Sequence, residues 1–259
     1  MNGKLLAIAI GLRLSAAEPP AETIMARVAE NQARSQSLRS AFVYQQKVLV
    51  RLHDGRGKLV REESTEYLVT PTPDGTKKTL TASHEQARRG KLAEVDADIV
   101  HDLRDELTND HQARDGLDRS LFPLTAEEQR KYDFRLAGDE VYRGLAVHRI
   151  TFTPKSSNAQ WKGEVLVSRE DGQPVLVATQ LAHKIPLLVR TALGTNLHGV
   201  GFSVRYQKFD DGLWFPVSYG TEFHVRALFF YNRSIVVSLE NSGFQRAQVS
   251  SRIEFAEAH

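Results

Sequence analysis

Apolar and polar residues alternate with a period of two through most of this chain, and that period is the signature of half-buried strands. The pattern is clearest from residue 161 to 181. Trp161, Gly163, Val165 and Val167 share one face of a first arm, Glu170-Asp171-Gly172-Gln173 has turn chemistry, and Val175, Val177, Thr179 and Leu181 alternate along a second arm. A lone hairpin is marginal in water, so this one predicts more sheet on both sides. Before it, Phe42, Tyr44, Val48, Val50 and Leu52 share a face that Gln46 interrupts, and Asp54-Gly55-Arg56-Gly57 reads as a hairpin turn. Residues 58–69 form the return arm, and 78–83 read as a third strand. Arms at 132–138 and 145–153 flank a turn at 139–144. After the hairpin, residues 198–209 and 213–225 read as strands joined by Asp210-Asp211-Gly212. In the latter, Leu213, Phe215, Val217, Tyr219, Thr221, Phe223 and Val225 are expected on one inward face, with Trp214, Ser218, Glu222, His224 and Arg226 opposite. Residues 226–240 read either as one strand or as two joined by a turn at Asn232-Arg233-Ser234, Asn241-Ser242-Gly243 as a bulge or turn, and Ala247 to Phe255 as a last arm.

Three stretches have the helical period instead. Ala21, Ile24, Met25, Val28 and Ala29 form a stripe over 21–36, and Ile99, Leu103 and Leu107 a narrower one over 96–113. Thr125 and Glu128 have capping-box spacing ahead of a short helix ending near Lys131. Strands spaced by turns, with helices gathered at 21–36 and 96–131, predict a mainly β (α+β) fold. Its form would be one strongly curved antiparallel sheet, an unclosed β-barrel of about ten strands, with helices covering the concave side.

The N-terminus has secretory-signal character: Lys4, an apolar run from Leu5 to Leu12, then Ser15-Ala16-Ala17 before Glu18. The expectation is a periplasmic or otherwise exported protein cut after Ala17. Residues 18–259 would then form a single domain with a charged helical insert at about 84–131 and no transmembrane anchor. The whole chain has 34 basic and 32 acidic residues; removing 1–17 removes Lys4 and Arg13 and brings the net charge to zero, which argues against nucleic acid as a partner. There is no cysteine, hence no disulfide, thiolate metal site or lipid-modified cysteine.

Several short features resemble the LolA-like proteins, the periplasmic lipoprotein carriers and the related envelope-stress regulator RseB. They are the signal followed by a helix, the hairpin Trp161-x-Gly163…Glu170-Asp171-Gly172-x-Pro174-Val175, the arm Gly212-Leu213-Trp214-Phe215-Pro216, and the tail with Phe244-x-Arg246-x-x-Val249 spacing. The resemblance implies an unclosed barrel lidded by helices, holding acyl chains or an apolar peptide.

No phosphate loop, dinucleotide fingerprint, nucleophile elbow or His-Glu-x-x-His helix is present, and no cofactor is expected. Asp98, His101 and Asp105 share a helix but are expected to be solvated. His148 and His224 read as ordinary sheet residues, and the sequon at Asn232 matters only in a eukaryotic secretory path. The apolar density at Ile185, Leu187, Leu188, Val189 and Leu193, and again at Phe229 and Phe230 in the run Leu228 to Tyr231, does not alternate cleanly and is the candidate ligand-binding surface. The leading expectation is a non-enzymatic envelope protein that buries a lipid, acyl chain or lipoprotein. The alternative is an RseB-like sensor or scaffold binding another envelope protein through a strand edge or outer face.

Overall fold

A computed structural model describes residues 19–72, 75–109, 122–157, 159, 161–182, 195–198, 201–209, 211–227 and 231–247, with backbone alone over 103–109, 195–198, 223 and 225–227. In chain order these form α1 (Ala21–Arg39), β1 (Phe42–Asp54), β2 (Leu59–Thr72), β3 (Gly75–Ala87), α2 (Ala93–Asn109), α3 (Ala126–Gln129), β4 (Tyr132–Tyr142), β5 (Leu145–Pro154), β6 (Trp161–Ser168), β7 (Pro174–Leu181), β8 (Thr195–His198), β9 (Gly201–Lys208), β10 (Trp214–Ala227) and β11 (Tyr231–Arg246). The strands make one antiparallel sheet in the order β3-β2-β1-β11-β10-β9-β7-β6-β5-β4, with β8 alongside β10. β3 and β4 are its two edges and do not meet, so the sheet is open. One hydrophobic cluster nonetheless joins Val48 and Leu52 of β1 to Phe134 of β4, with Met25 and Val28 of α1 and Val100 of α2 among them. Residues from strands so far apart in the sheet reach one core because the sheet curls around the helices.

The central hairpin forms as its pattern predicts. Trp161 stands opposite Leu181 and Val165 opposite Val177, and Gly172 takes a φ of 62° in the turn. At Gly163 the strands approach so closely that a Cβ would lie 1.9 Å from the Ala178 carbonyl oxygen. The turn also anchors α1. Asn31 Nδ2 donates to the carbonyls of Asp171 and Gly172 at 3.0 Å, Arg27 Nη2 to that of Glu170 at 3.2 Å, and Gln32 Nε2 to Gln173 Oε1 at 2.7 Å. The buried stripe of α1 begins as expected with Ile24, Met25, Val28 and Ala29 but continues as Gln32, Ser35 and Arg39. These polar groups are held in the interior by hydrogen bonds: Gln173 Nε2 donates to Ser35 Oγ and Arg39 Nη1 to the Trp214 carbonyl, each at 2.9 Å.

Four sequence expectations are corrected. First, β10 does not present one inward face. Pro216 stands opposite Tyr206 and Tyr219 opposite Val204, and Val217 between them has no partner on β9. This bulge reverses the alternation. Trp214 therefore joins the main core, while Leu213, Phe215 and Val217 form a second cluster with Phe42. Second, Asn232-Arg233-Ser234 is not a turn: β11 runs unbroken, with Arg233 opposite Val225 and Asp54. Third, α1 does not stop at residue 36 but runs to Arg39. Fourth, β3 is longer than 78–83 and reaches Ala87. The remaining ambiguity at Asn241-Ser242-Gly243 resolves as a bulge: Val43 pairs with Gln245 and Gln45 with Ser242, and Gly243 takes a φ of 64°. Gln46, the polar interruption of β1, is fully buried; its Nε2 donates to Asn241 Oδ1 at 3.1 Å, and Asn241 Nδ2 to the Pro216 carbonyl at 3.0 Å.

Candidate functional site

Between α1 and the start of β4 lies a half-open cavity of about 760 Å³, within the range usual for small-molecule sites. Its first wall is α1. Ala26, Ala29 and Ala33 recur there at helical spacing and leave space where larger side chains would fill it. The second wall is the segment Phe122 to Gln129 with Tyr132 and Phe134 of β4, and Tyr206 of β9 also lines it. Phe122, Leu124, Tyr132, Phe134 and Tyr206 are each less than a tenth exposed, so they form a fixed apolar lining.

Local chemistry sets the two walls. Pro20 precedes α1 and its carbonyl accepts from the Thr23 and Ile24 N–H groups, which starts the helix. The hydrogen bonds to the 170–173 turn then hold α1 against the sheet. Thr125 caps α3 by accepting from the Glu128 N–H at 3.2 Å, as its spacing predicts. The return half of the capping box is replaced, because the Glu128 carboxylate takes a hydrogen bond from Lys131 Nζ at 2.7 Å. Gln129 Nε2 crosses to the Met25 carbonyl at 2.7 Å and fastens α3 to α1. Burial pushes the Tyr132 hydroxyl above its ordinary range, with the Glu128 charge adding to the effect, so the phenol stays neutral at physiological pH.

Such an interior can take up an apolar chain and exclude water from it. Among the described residues no three His, Asp or Glu side chains are grouped as metal ligands. His148 Nδ1 lies 2.6 Å from Asp139 Oδ1, and Arg169 Nη1 lies 2.8 Å from Asp139 Oδ2, an arrangement away from the cavity that ties β4 to β5 and the hairpin. Asp98, His101 and His224 are exposed. The buried acid of α2 is instead Asp96. It holds Arg233 through Nε and Nη2 at 2.9 Å each and accepts from the Tyr231 hydroxyl at 3.0 Å, so it fastens α2 to β11.

The sequence-expected binding residues Ile185, Leu187, Leu188, Val189, Leu193, Phe229 and Phe230 lie outside the described residues, as do the N-terminal signal and the arm beyond Ala247. None of the cavity-lining residues was among those expected to bind ligand. The signal for them was weak but present: three alanines at helical spacing on α1, and Phe122-Pro123-Leu124 set between two helical segments.

No family model matches the sequence, and no curated protein does. Solved structures do. The chain is similar to a domain from Vibrio parahaemolyticus assigned to outer membrane lipoprotein sorting, at 12% identity and a TM-score of 0.39 over 87% of this chain and 92% of that one. It is similar to a DUF1329 family protein from Desulfovibrio piger, at 13% identity and a TM-score of 0.38 over 90% of this chain and 96% of that one. A LolA superfamily protein from Nitrosomonas europaea matches at 11% identity and a TM-score of 0.33, again over 90% and 96%. Likenesses of this depth say nothing of what this chain binds.

Proposed function

We propose that this protein is a non-enzymatic, exported envelope protein that binds a lipid, an acyl chain or the acyl part of a lipoprotein in the cavity between α1 and β4. The observation that carries the reading is the cavity itself, about 760 Å³ in volume, with five buried apolar or aromatic side chains on one side and three alanines on the other. Burial alone supplies the affinity. At about 0.8 kcal/mol per methylene, six buried methylenes contribute about 5 kcal/mol, against which stands the ordering of the chain. The apolar stretch 185–193 and Phe229–Phe230 are proposed to add further ligand contacts.

The test is titration with a fluorescent fatty acid. Ala33 is exposed on α1, so Ala33→Trp would fill the cavity from its wall without disturbing the core. The parent is expected to bind and the variant to lose binding while melting at the same temperature. A parent that binds no acyl probe of any length refutes the proposal.

A second reading has one observation in its favour. Residues 79–87 of the edge strand β3 are all exposed, on both faces of the sheet. An envelope partner could extend the sheet there by adding a strand. Thr81 is an extra residue relative to β2, and Lys77 and Lys78 lie on the same edge. Bulges and lysines are devices that blunt an edge against pairing, so the cavity remains the better-supported site.

A further inference from the structure

The two lips of the cavity carry opposite charges. Glu22 and Glu30 of α1 stand on one side, and Arg130 and Lys155 on the other. All four are exposed, and among the described residues none has an ion-pair partner. The basic lip is assembled by the fold: the Lys155 N–H donates to the Lys131 carbonyl at 2.9 Å, which brings the chain after β5 beside the end of α3. The nearby carboxylate of Glu128 is already engaged by Lys131. Arg39 also lines the cavity, but it is buried at the C-terminal end of α1 with Nη1 on the Trp214 carbonyl.

An acyl tail lying against the aromatic lining carries its head group to this opening. A purely anionic head would meet two cations and two carboxylates at once, and a purely cationic head likewise, so neither gains from the opening as a whole. A head with both charges a few ångströms apart can satisfy both lips together. We infer that the ligand is an amphiphile with a zwitterionic head of the phosphoethanolamine type. Its phosphate lies toward Arg130 and Lys155, and its ammonium toward Glu22 and Glu30. The guanidinium fork suits phosphate oxygens, and a primary ammonium suits a carboxylate; Glu22 and Glu30 lie just over two turns apart on α1, so the ammonium takes one of them at a time. This inference rests on the reading of the cavity as an acyl site.

The experiment is calorimetric titration of the full chain with three probes sharing a lauroyl tail, each below its micellar concentration: lysophosphatidylethanolamine, lysophosphatidylglycerol and monolauroylglycerol. The zwitterionic probe is expected to bind about fivefold more tightly than either of the others, the size of two partly exposed ion pairs. Arg130→Ala with Lys155→Ala should erase that preference, and so should Glu22→Gln with Glu30→Gln, while monolauroylglycerol binds both variants as it binds the parent. Binding of the anionic probe to the parent as tightly as the zwitterionic one or more so, with both above monolauroylglycerol, would overturn the inference in favour of an anionic head. Equal binding of all three probes would show that the head is not read, leaving the acyl site standing. Failure of all three to bind would remove the acyl site and this inference together.

Discussion

Replacing Asp96 by alanine tests the tie between α2 and the sheet. Asp96 is 5% exposed and Arg233 8%. The substitution removes both guanidinium–carboxylate hydrogen bonds and the one from Tyr231, and it leaves Arg233 buried with Nη1 on the Asn232 carbonyl at 3.1 Å. Breaking a buried pair from one side costs about 3–5 kcal/mol, because the surviving charge keeps its desolvation penalty and loses its partner. Asp54 also acts on the Arg233 charge, which places the expectation near about 3 kcal/mol. For a chain of this size that is a fall in Tm of about 6–12 °C. Removing both charges should behave differently: Asp96→Leu with Arg233→Met leaves no buried ion and should lie within about 1 kcal/mol of the parent. Urea melts give the global values, and hydrogen exchange at the α2 amides reports whether the helix opens by itself. A single variant as stable and as protected as the parent would refute the argument, and so would a double variant no better than the single.

Gly163→Ala should destabilise by about 3 kcal/mol in thermal melts, since its Cβ would lie 1.9 Å from a backbone oxygen of the neighbouring strand. Asn241→Leu loses the hydrogen bonds to Gln46 and to the Pro216 carbonyl beside the β10 bulge; about 2 kcal/mol is expected in urea melts, and an unchanged midpoint would show that the bulge needs no such support. Burial, with the Asp96 charge second, raises the Tyr231 pKa above its unfolded value near 10. The fold therefore favours the neutral phenol; that stability is fully present below pH 10 and is lost as pH rises beyond it. Tyr231→Phe should flatten this alkaline loss, and parallel stability curves above pH 10 for parent and variant would contradict it.

Much of the architecture was legible because its causes are local. A period of two, punctuated by residues that turn the chain, is written in consecutive positions. The hairpin at 161–181, the stripe that starts α1 and the Thr125 cap followed from neighbours alone. What tertiary structure decided depends on residues far apart in the chain. The β10 bulge leaves the apparent alternation from Leu213 to Val225 intact in the sequence, yet sends Leu213, Phe215 and Val217 to a different cluster, because the offset exists only relative to β9. Gln46 and Asn241 are 195 positions apart and Asp96 and Arg233 are 137, so no local pattern pairs them. The cavity is the clearest case. Apolar density along a sequence marks what will be buried, whereas a cavity is space left between elements. Its lining comes from α1, the 122–134 segment and β9. Three alanines on α1 give that wall its recess only because the helix is held at the far side of the opening by the 170–173 turn, and no local pattern carries that distance.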